Sequence, residues 1–273
     1  MRPLTLGDLP ACLDLARDRD WLPEEHKWRL LFEVGTVYGL RDGAGDLAGT
    51  GILTQFGPGL AAIGMVLVAK RYGRRGIGRQ IMTRMLAETP GMTVFLYATR
   101  YGQPLYEDLG FEVTGMAFTH VGQFAPPPSP VASRRATSSD WPAIRRLDTE
   151  VTGADRAPIL DWLARSAIAT RVIERDGEIT GYGAALANLE NVSAAPIIAA
   201  DVSDARVLIR DLSAAAGDLP LRLDLDGRFP ELREWATRHG ASLRSSTTLM
   251  VRGGHALPGD RGRWFVPLLL ALG

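Results

Sequence analysis

Hydrophobic positions along the first part of the chain switch between helical and strand spacing in a fixed order. Leu9, Cys12, Leu13 and Ala16 share one helical face, which predicts a helix from about Asp8 to Asp18. Asp8 stands where a cap belongs, and Pro10 is tolerated in the first turn. A second helix is predicted over roughly Glu24 to Glu33, with Trp28, Leu31 and Phe32 reading as its core side. Val34 to Arg41 and Leu47 to Gln55 read as strands joined by the turn Asp42-Gly43-Ala44-Gly45. Ile63 to Val68 is a buried apolar strand, and a helix opens near Ile77 with Ile77, Ile81, Met82, Met85 and Leu86 on one face. Thr93 to Tyr97 is a strand, Gln103 to Leu109 a short helix, and Phe111 to Phe124 a final strand region. Two helices, a small antiparallel sheet and a β-α-β unit define a mixed α/β (α+β) architecture.

The chain then repeats itself. Thr5-x-x-Asp8-x-Pro10-Ala11-x-x-x-Leu15 returns as Thr137-x-x-Asp140-x-Pro142-Ala143-x-x-x-Leu147, each pair 132 positions apart. Gly49-Thr50-Gly51 meets Gly181-Tyr182-Gly183 at the same offset, and Arg41-Asp42-Gly43 meets Arg175-Asp176-Gly177 close to it. Between the copies lies Phe124-Ala125-Pro126-Pro127-Pro128-Ser129-Pro130, whose prolines favour an extended linker. The expected domains are therefore 1–125 and 131–273, each a mixed, mostly antiparallel sheet flanked by helices.

The sharpest motif runs from Val66-Leu67-Val68 through Ala69-Lys70-Arg71-Tyr72-Gly73-Arg74-Arg75-Gly76-Ile77-Gly78-Arg79. A buried strand ends, a glycine-rich turn follows and a helix begins. The first turn of a helix carries free N–H groups and partial positive charge, so it binds anions. Gly76 and Gly78 let the backbone close on a diphosphate, and Arg71, Arg74, Arg75 and Arg79 add charge or simply stand in solvent. The P-loop signature fails because Arg79, not Lys, follows Gly78, and the dinucleotide fingerprint orders its glycines differently.

This segment resembles the acyl-CoA pyrophosphate loop of the GNAT superfamily of N-acetyltransferases, Arg/Gln-x-x-Gly-x-Gly/Ala, with Gly73 at the first position of the pattern. Leu105-Tyr106-Glu107-Asp108-Leu109-Gly110-Phe111 resembles the same superfamily's Leu-Tyr-x-x-x-Gly-Phe. The resemblance implies two tandem GNAT-like domains and acetyl-CoA as cosubstrate, with no metal. It implies a pyrophosphate site at Gly73, Arg74, Arg75, Gly76, Ile77, Gly78 and Arg79, and a pantetheine arm pairing with Val66, Leu67 and Val68. It also places Tyr106 beside the thioester sulfur, as general acid or as packing of its short helix. The backbone N–H near Val68 would face the carbonyl oxygen. The central strand carries no carboxylate. A water chain held by backbone carbonyls is the expected base, with Glu24, Glu25 and His26 as a group that reaches in from the acceptor side or only favours a helix dipole. Trp21 and Trp28 line an acceptor pocket or pack the core.

The second half lacks these features. Pro196-Ile197-Ile198-Ala199-Ala200-Asp201-Val202-Ser203-Asp204 has no glycine or arginine, its Asp and Ser residues read as caps, and Ala236 falls opposite Tyr106. It is expected to bind no CoA and to form part of an acceptor pocket or to serve stability. Gly153-Ala154-Asp155-Arg156 resembles a motif of bacterial tandem GNAT proteins with a diverged second domain. Asp155, Arg156 and Tyr182 are thus weak acceptor-site candidates, Asp155 reading equally well as a helix cap.

Composition narrows the partners. Lysine plus arginine and aspartate plus glutamate number 31 each, so no global field draws the chain to nucleic acid or to an anionic membrane. No apolar run is long enough to span a bilayer, and Met1 to Leu6 lacks the apolar core of a secretion signal. The single Cys12 excludes an internal disulfide and reads as a core thiol, so a reducing, cytoplasmic location is expected. Nothing has metal-ligand spacing. The expected activity is acetylation of a primary amine on a small molecule by a monomer or homodimer. A CoA-binding sensor without turnover and a protein N-acetyltransferase are the alternatives.

Overall fold

The computed structural model describes residues 1–128, 131–254 and 256–272; Ser129 and Pro130 of the proline-rich linker, and Gly273 at the end of the second expected domain, lie outside the described residues. The chain forms two compact units. The first holds Met1–Glu112 with residues 250–254 and Leu272, and the second holds Val113–Leu249 and Ala256–Ala271.

Unit 1 follows the predicted order after a short first strand, Arg2–Pro3, that the sequence pattern did not predict. It contains β1 (Arg2–Pro3), α1 (Leu9–Asp18), α2 (Glu25–Val34), β2 (Thr36–Arg41), β3 (Leu47–Phe56), β4 (Leu60–Val68), α3 (Ile77–Leu86), β5 (Thr93–Ala98) and α4 (Gln103–Asp108). Strands β1 to β5 are neighbours in sequence order, antiparallel except for the parallel pair β4–β5. Gly49 and Gly51 on β3 let α3 pack closely: a Cβ at Gly51 would lie 2.6 Å from Ile81 Cγ2 and 2.8 Å from Met85 Cε. Ile77, Ile81, Met82 and Met85 of α3 join Ile63, Val94, Leu96 and Tyr106 in the core on this side. Trp28 is buried and meets the Phe32 ring at 6.4 Å, which settles it as a core residue. Burial pushes the Cys12 thiol up to about 12, with the Asp8 carboxylate adding to the effect, so it is an inert core group.

Asp8 differs from its expected part. Its carboxylate turns back to accept the Thr5 N–H (2.9 Å) and pairs with Arg2 and Arg41. The Thr5 backbone bond and the two arginines hold it near 2. It closes a capping box around the preceding turn, Leu6–Asp8, rather than capping α1 with its side chain.

Unit 2 contains β6 (Glu112–Gly122, from Val113 on), β7 (Arg134–Arg135), α5 (Trp141–Thr152), α6 (Ala157–Ser166), β8 (Ala169–Arg175), β9 (Glu178–Ala187), β10 (Val192–Ile198), α7 (Val202–Ser213), β11 (Leu221–Asp226) and α8 (Pro230–Arg238). Strand β12 (Ser242–Arg252) lies in unit 2 up to Leu249 and gives its last residues to unit 1, and β13 (Trp264–Val266) ends the series. Strand β6 pairs antiparallel with β11, Leu221 facing Gly122, while β10 and β11 are parallel. The repeat is visible atom by atom: Arg134 holds Asp140, and the Thr137 N–H donates to that carboxylate at 2.6 Å. Gly181 and Gly183 answer to Gly49 and Gly51, with Gly183 set against Ile197 of β10 and Leu212 of α7.

Candidate active site

Strands β4 and β5 are hydrogen-bonded neighbours only at Leu60–Thr93, Ala61–Val94 and Ala62–Phe95. Both continue beyond that point, so from Ile63 to Val68 the β5-facing edge of β4 has no strand partner among the described residues. A register shift against β3 accompanies the parting, between Thr50–Leu67 and Ile52–Gly64. Met65 sits in the shift with φ 50°, a left-handed conformation that costs a side-chain-bearing residue about 1–3 kcal/mol. The Thr50 hydroxyl donates to the Met65 carbonyl at 3.1 Å and fixes the bulge. Val66 and Val68, alternating with Leu67, thus present backbone N–H and C=O groups along an open edge, the requirement for pairing with an amide-bearing chain.

The helix end beside this split exposes backbone N–H groups behind a left-handed turn. Gly76 is the N-cap of α3 with φ 77°, and Arg74 before it has φ 61°. Left-handed residues of this kind shape backbone concavities that hold anions. The helix ladder starts with the Gln80 N–H donating to the Gly76 carbonyl at 3.0 Å, so the N–H groups of Ile77, Gly78 and Arg79 precede it. A Cβ on Gly76 would meet nothing within 4 Å; its glycine answers to φ and not to crowding. A Cβ on Gly78 would lie 3.2 Å from Leu105 Cδ2 and 3.7 Å from Val68 Cγ2. The end of β4, the start of α3 and the residue before Tyr106 therefore meet at one point.

Ion pairs sort the loop cations. Arg71 bonds Asp42 and Asp46 at 2.8 and 2.9 Å, and Arg79 bonds Asp108 at 2.7 Å. Tyr72 donates its hydroxyl to Asp42 at 2.8 Å, and Asp18 accepts the Lys70 N–H at 2.7 Å while Asp20 pairs with its ammonium. Arg74 and Arg75 face no carboxylate among the described residues; Arg75 stacks over the Tyr72 ring at 5.7 Å. Sequence reasoning did not single out these aspartates. Their signal was the short acidic turns Asp18–Asp20 and Asp42–Asp46, which flank the loop only once the strands have paired.

Tyr106 lies on α4 within the core, edge-on to the Phe111 ring at 6.1 Å. Gly102 opposite is required: a Cβ there would sit 2.9 Å from ring atom Cε2 and 3.2 Å from the hydroxyl. Burial alone pushes the phenol up to about 12. The group stays protonated through the neutral range and can donate rather than accept.

The acceptor-side candidates separate. Trp21 is 42% exposed and follows Asp20 on the loop that Lys70 anchors. Glu25 pairs with Arg29 at 2.7 Å along a groove of about 280 Å³ whose lining also includes Leu6, Leu9, Pro10 and Leu13, and none of the split residues lines it. Asp155 accepts the Ala157 N–H at 2.9 Å, the capping use. Arg156 and Tyr182 are corrected by burial: both are in the unit 2 core, where Arg156 bonds Asp148 at 2.6 and 3.0 Å and Tyr182 donates to the same carboxylate. Their polar groups are spent inside the unit, which leaves an acceptor nothing to bind.

Unit 2 shows what the equivalent place looks like without these features. The connection 69–76 shrinks to 199–201, where the Asp201 carboxylate caps α7 by accepting the Asp204 N–H at 2.9 Å. Ala236 occupies the place of Tyr106: the Ala241 N–H donates to its carbonyl at 3.0 Å, as the Phe111 N–H does to that of Tyr106. Among the described residues no group of His, Cys, Asp and Glu is arranged to hold a metal, and no helix is long and apolar enough to cross a membrane.

Known proteins similar to this chain are acetyltransferases of one family. The family described as "Acetyltransferase (GNAT) domain" matches residues 33–113, and a second family of the same description matches residues 144–266. An uncharacterized N-acetyltransferase of Bacillus subtilis (strain 168), YitH, is 31% identical over 216 residues, covering 77% of this chain and 76% of its own. A putative acetyltransferase from Pyrococcus horikoshii has a similar structure (TM-score 0.81, 19% identity), covering 100% of this chain and 95% of its own. So has a GCN5-related N-acetyltransferase from Sphaerobacter thermophilus (TM-score 0.67, 16% identity), covering 94% and 96%.

Proposed function

We propose that this chain, which belongs to the GNAT family of N-acetyltransferases, carries one acetyl-CoA site, in unit 1, and transfers the acetyl group to a primary amine of a small molecule. The observation that carries the reading is the coincidence of three features: the open β4 edge, the N-terminus of α3 with its left-handed glycine, and the protonated phenol of Tyr106. The edge of Val66 to Val68 fits the amides of a pantetheine arm. The N–H groups of the turn 73–79 fit a diphosphate, and Arg74 and Arg75 supply charge that no carboxylate among the described residues already uses. Arg79 can exchange its exposed partner Asp108 for phosphate at small cost, since exposed pairs contribute only about 0–1 kcal/mol.

The layout supports direct transfer. The neutral amine attacks the thioester carbonyl carbon, the C–N bond forms, and negative charge grows on the carbonyl oxygen beside the backbone N–H near Val68. The C–S bond then breaks, the sulfur takes the Tyr106 proton, and the nitrogen gives its proton to water held by backbone carbonyls. The phenolate regains a proton from solvent. An amine-library screen that follows free thiol release from acetyl-CoA tests the reading. Turnover with small primary amines is expected; thiol release with protein N-termini alone would replace the acceptor class.

A further inference from the structure

Unit 2 has the same split as unit 1, and something already fills it. Strands β10 and β11 pair in parallel at Val192–Leu221 and Ser193–Arg222 and then part. Ala187 stands 132 positions after Gln55, and these two pair with Val192 and Ala61, so Val192 answers to Ala61 and the freed stretch of β10 matches the open edge of β4. In unit 2 that edge is taken by β13: Ile197 pairs with Val266, Ile198 with Trp264, and the Ala199 N–H donates to the Arg263 carbonyl at 3.0 Å. Thr50 pairs with Leu67 and its counterpart Tyr182 with Ile198, so Ala199, the next residue, corresponds to Val68, one of the residues whose backbone faces the proposed pantetheine arm.

The occupant is held as a ligand would be. Trp264, Phe265 and Val266 are 5%, 1% and 0% exposed. Phe265 lies 4.2 Å from the Phe229 ring, between centroids, and joins the unit 2 core with Val266. The Trp264 ring lies under two guanidinium groups, Arg156 at 4.9 Å and Arg261 at 4.4 Å. Arg156 is fixed in turn by the buried Asp148, which Tyr182 also bonds. At the 132 offset, unit 1 has Ala16 and Thr50 where unit 2 has Asp148 and Tyr182. The charged network therefore belongs to the filled split and has no counterpart in the open one.

We propose that Trp264–Val266 is a built-in peptide ligand, and that the second split has become a peptide-binding site closed by strand addition on its own chain. The ligand class is an extended aromatic–aliphatic segment, recognised by main-chain bonds to β10 and by the Trp264 stack. The analogy with an acyl-pantetheine arm rests on the reading of unit 1, but the peptide site itself does not.

Amide hydrogen exchange on the full chain tests this. In the double variant Trp264→Ala, Phe265→Ala the amides of Ile198 and Ala199 should exchange at least tenfold faster, with β3 in unit 1 unchanged. Adding the peptide Arg-Gly-Arg-Trp-Phe-Val-Pro should restore protection, and its scrambled form should not. Should that variant fail to fold, the wild-type chain carrying a protease site near Ala256, cut after folding, gives the second measurement. The cut chain should keep its protection, and excess free peptide should displace the cut tail, seen by mass, while protection of Ile198 and Ala199 stays. Unchanged exchange, or loss that the peptide never reverses, overturns the proposal. Calorimetry with acetyl-CoA reports on unit 1 separately, so a missing cofactor site and a missing peptide site are told apart.

Discussion

Two copies of one plan lie side by side in the sequence, and their differences are concentrated in a few places. Both keep the capping box, Thr5 with Asp8 and Thr137 with Asp140, and both keep the paired glycines that seat a helix on the sheet. Both part their parallel strands after a short pairing. What differs is the connection that follows, 69–76 against 199–201, and the side chain at Tyr106 against Ala236. Features required for folding persist in both; the features to which we assign anion binding and proton donation persist in one. Where unit 1 leaves its split open beside small side chains, unit 2 fills it with Trp264–Val266 and backs it with a buried ion pair.

The comparison can be broken at its most costly point first. Asp148→Ala would leave the buried Arg156 without its carboxylate, and breaking such a pair costs about 3–5 kcal/mol. The urea midpoint of unit 2 should fall accordingly while acetyl-CoA affinity holds. A loss of affinity as large as the loss of stability would mean that the network serves the cofactor site.

Tyr106→Phe should lower kcat about a hundredfold or more with acetyl-CoA affinity nearly unchanged, since general acid catalysis contributes on that scale. The phenyl ring retains the contact with Phe111, so folding should survive. An unchanged rate at saturating acceptor would reduce Tyr106 to packing and bring it level with Ala236.

A smaller effect separates the arginines of the loop. The double change Arg74→Ala, Arg75→Ala should weaken acetyl-CoA binding roughly tenfold and flatten its salt dependence. Arg71→Ala should matter less, because Arg71 is already bonded to Asp42 and Asp46. Isothermal titration at two ionic strengths distinguishes the cases. Equal losses would show that the acidic turns release Arg71 when the cofactor arrives.

Most of unit 1 was legible because its signals are local. The helical spacing of Ile77, Ile81 and Met85 and the glycines before it fix where β4 ends and α3 begins, and the strands fall within a few residues of their predicted bounds. The left-handed φ of Met65 was not legible, since it arises from the mismatch of two strands and not from its own residue type. Arg156 and Tyr182 looked like polar candidates because burial depends on distant partners, here Asp148 and Trp264. Strand β13 has no copy in the first half, so the repeat gave no reason to expect it. The proline-rich stretch marked a change of copy, whereas the compact units place β6 from Val113 on with the second copy and residues 250–254 with the first. Pairings of that range leave no trace in a local pattern.

Stoichiometry tests the central claim most directly. Titration of the full chain with acetyl-CoA should give one site per chain. Gly76→Val, which forces a branched side chain into φ 77° at a cost of about 1–3 kcal/mol, should weaken or remove that site and reveal no other. A stoichiometry of two, or a site that survives intact in Gly76→Val and Gly78→Val, would contradict the account, because the anion would then be held away from the start of α3.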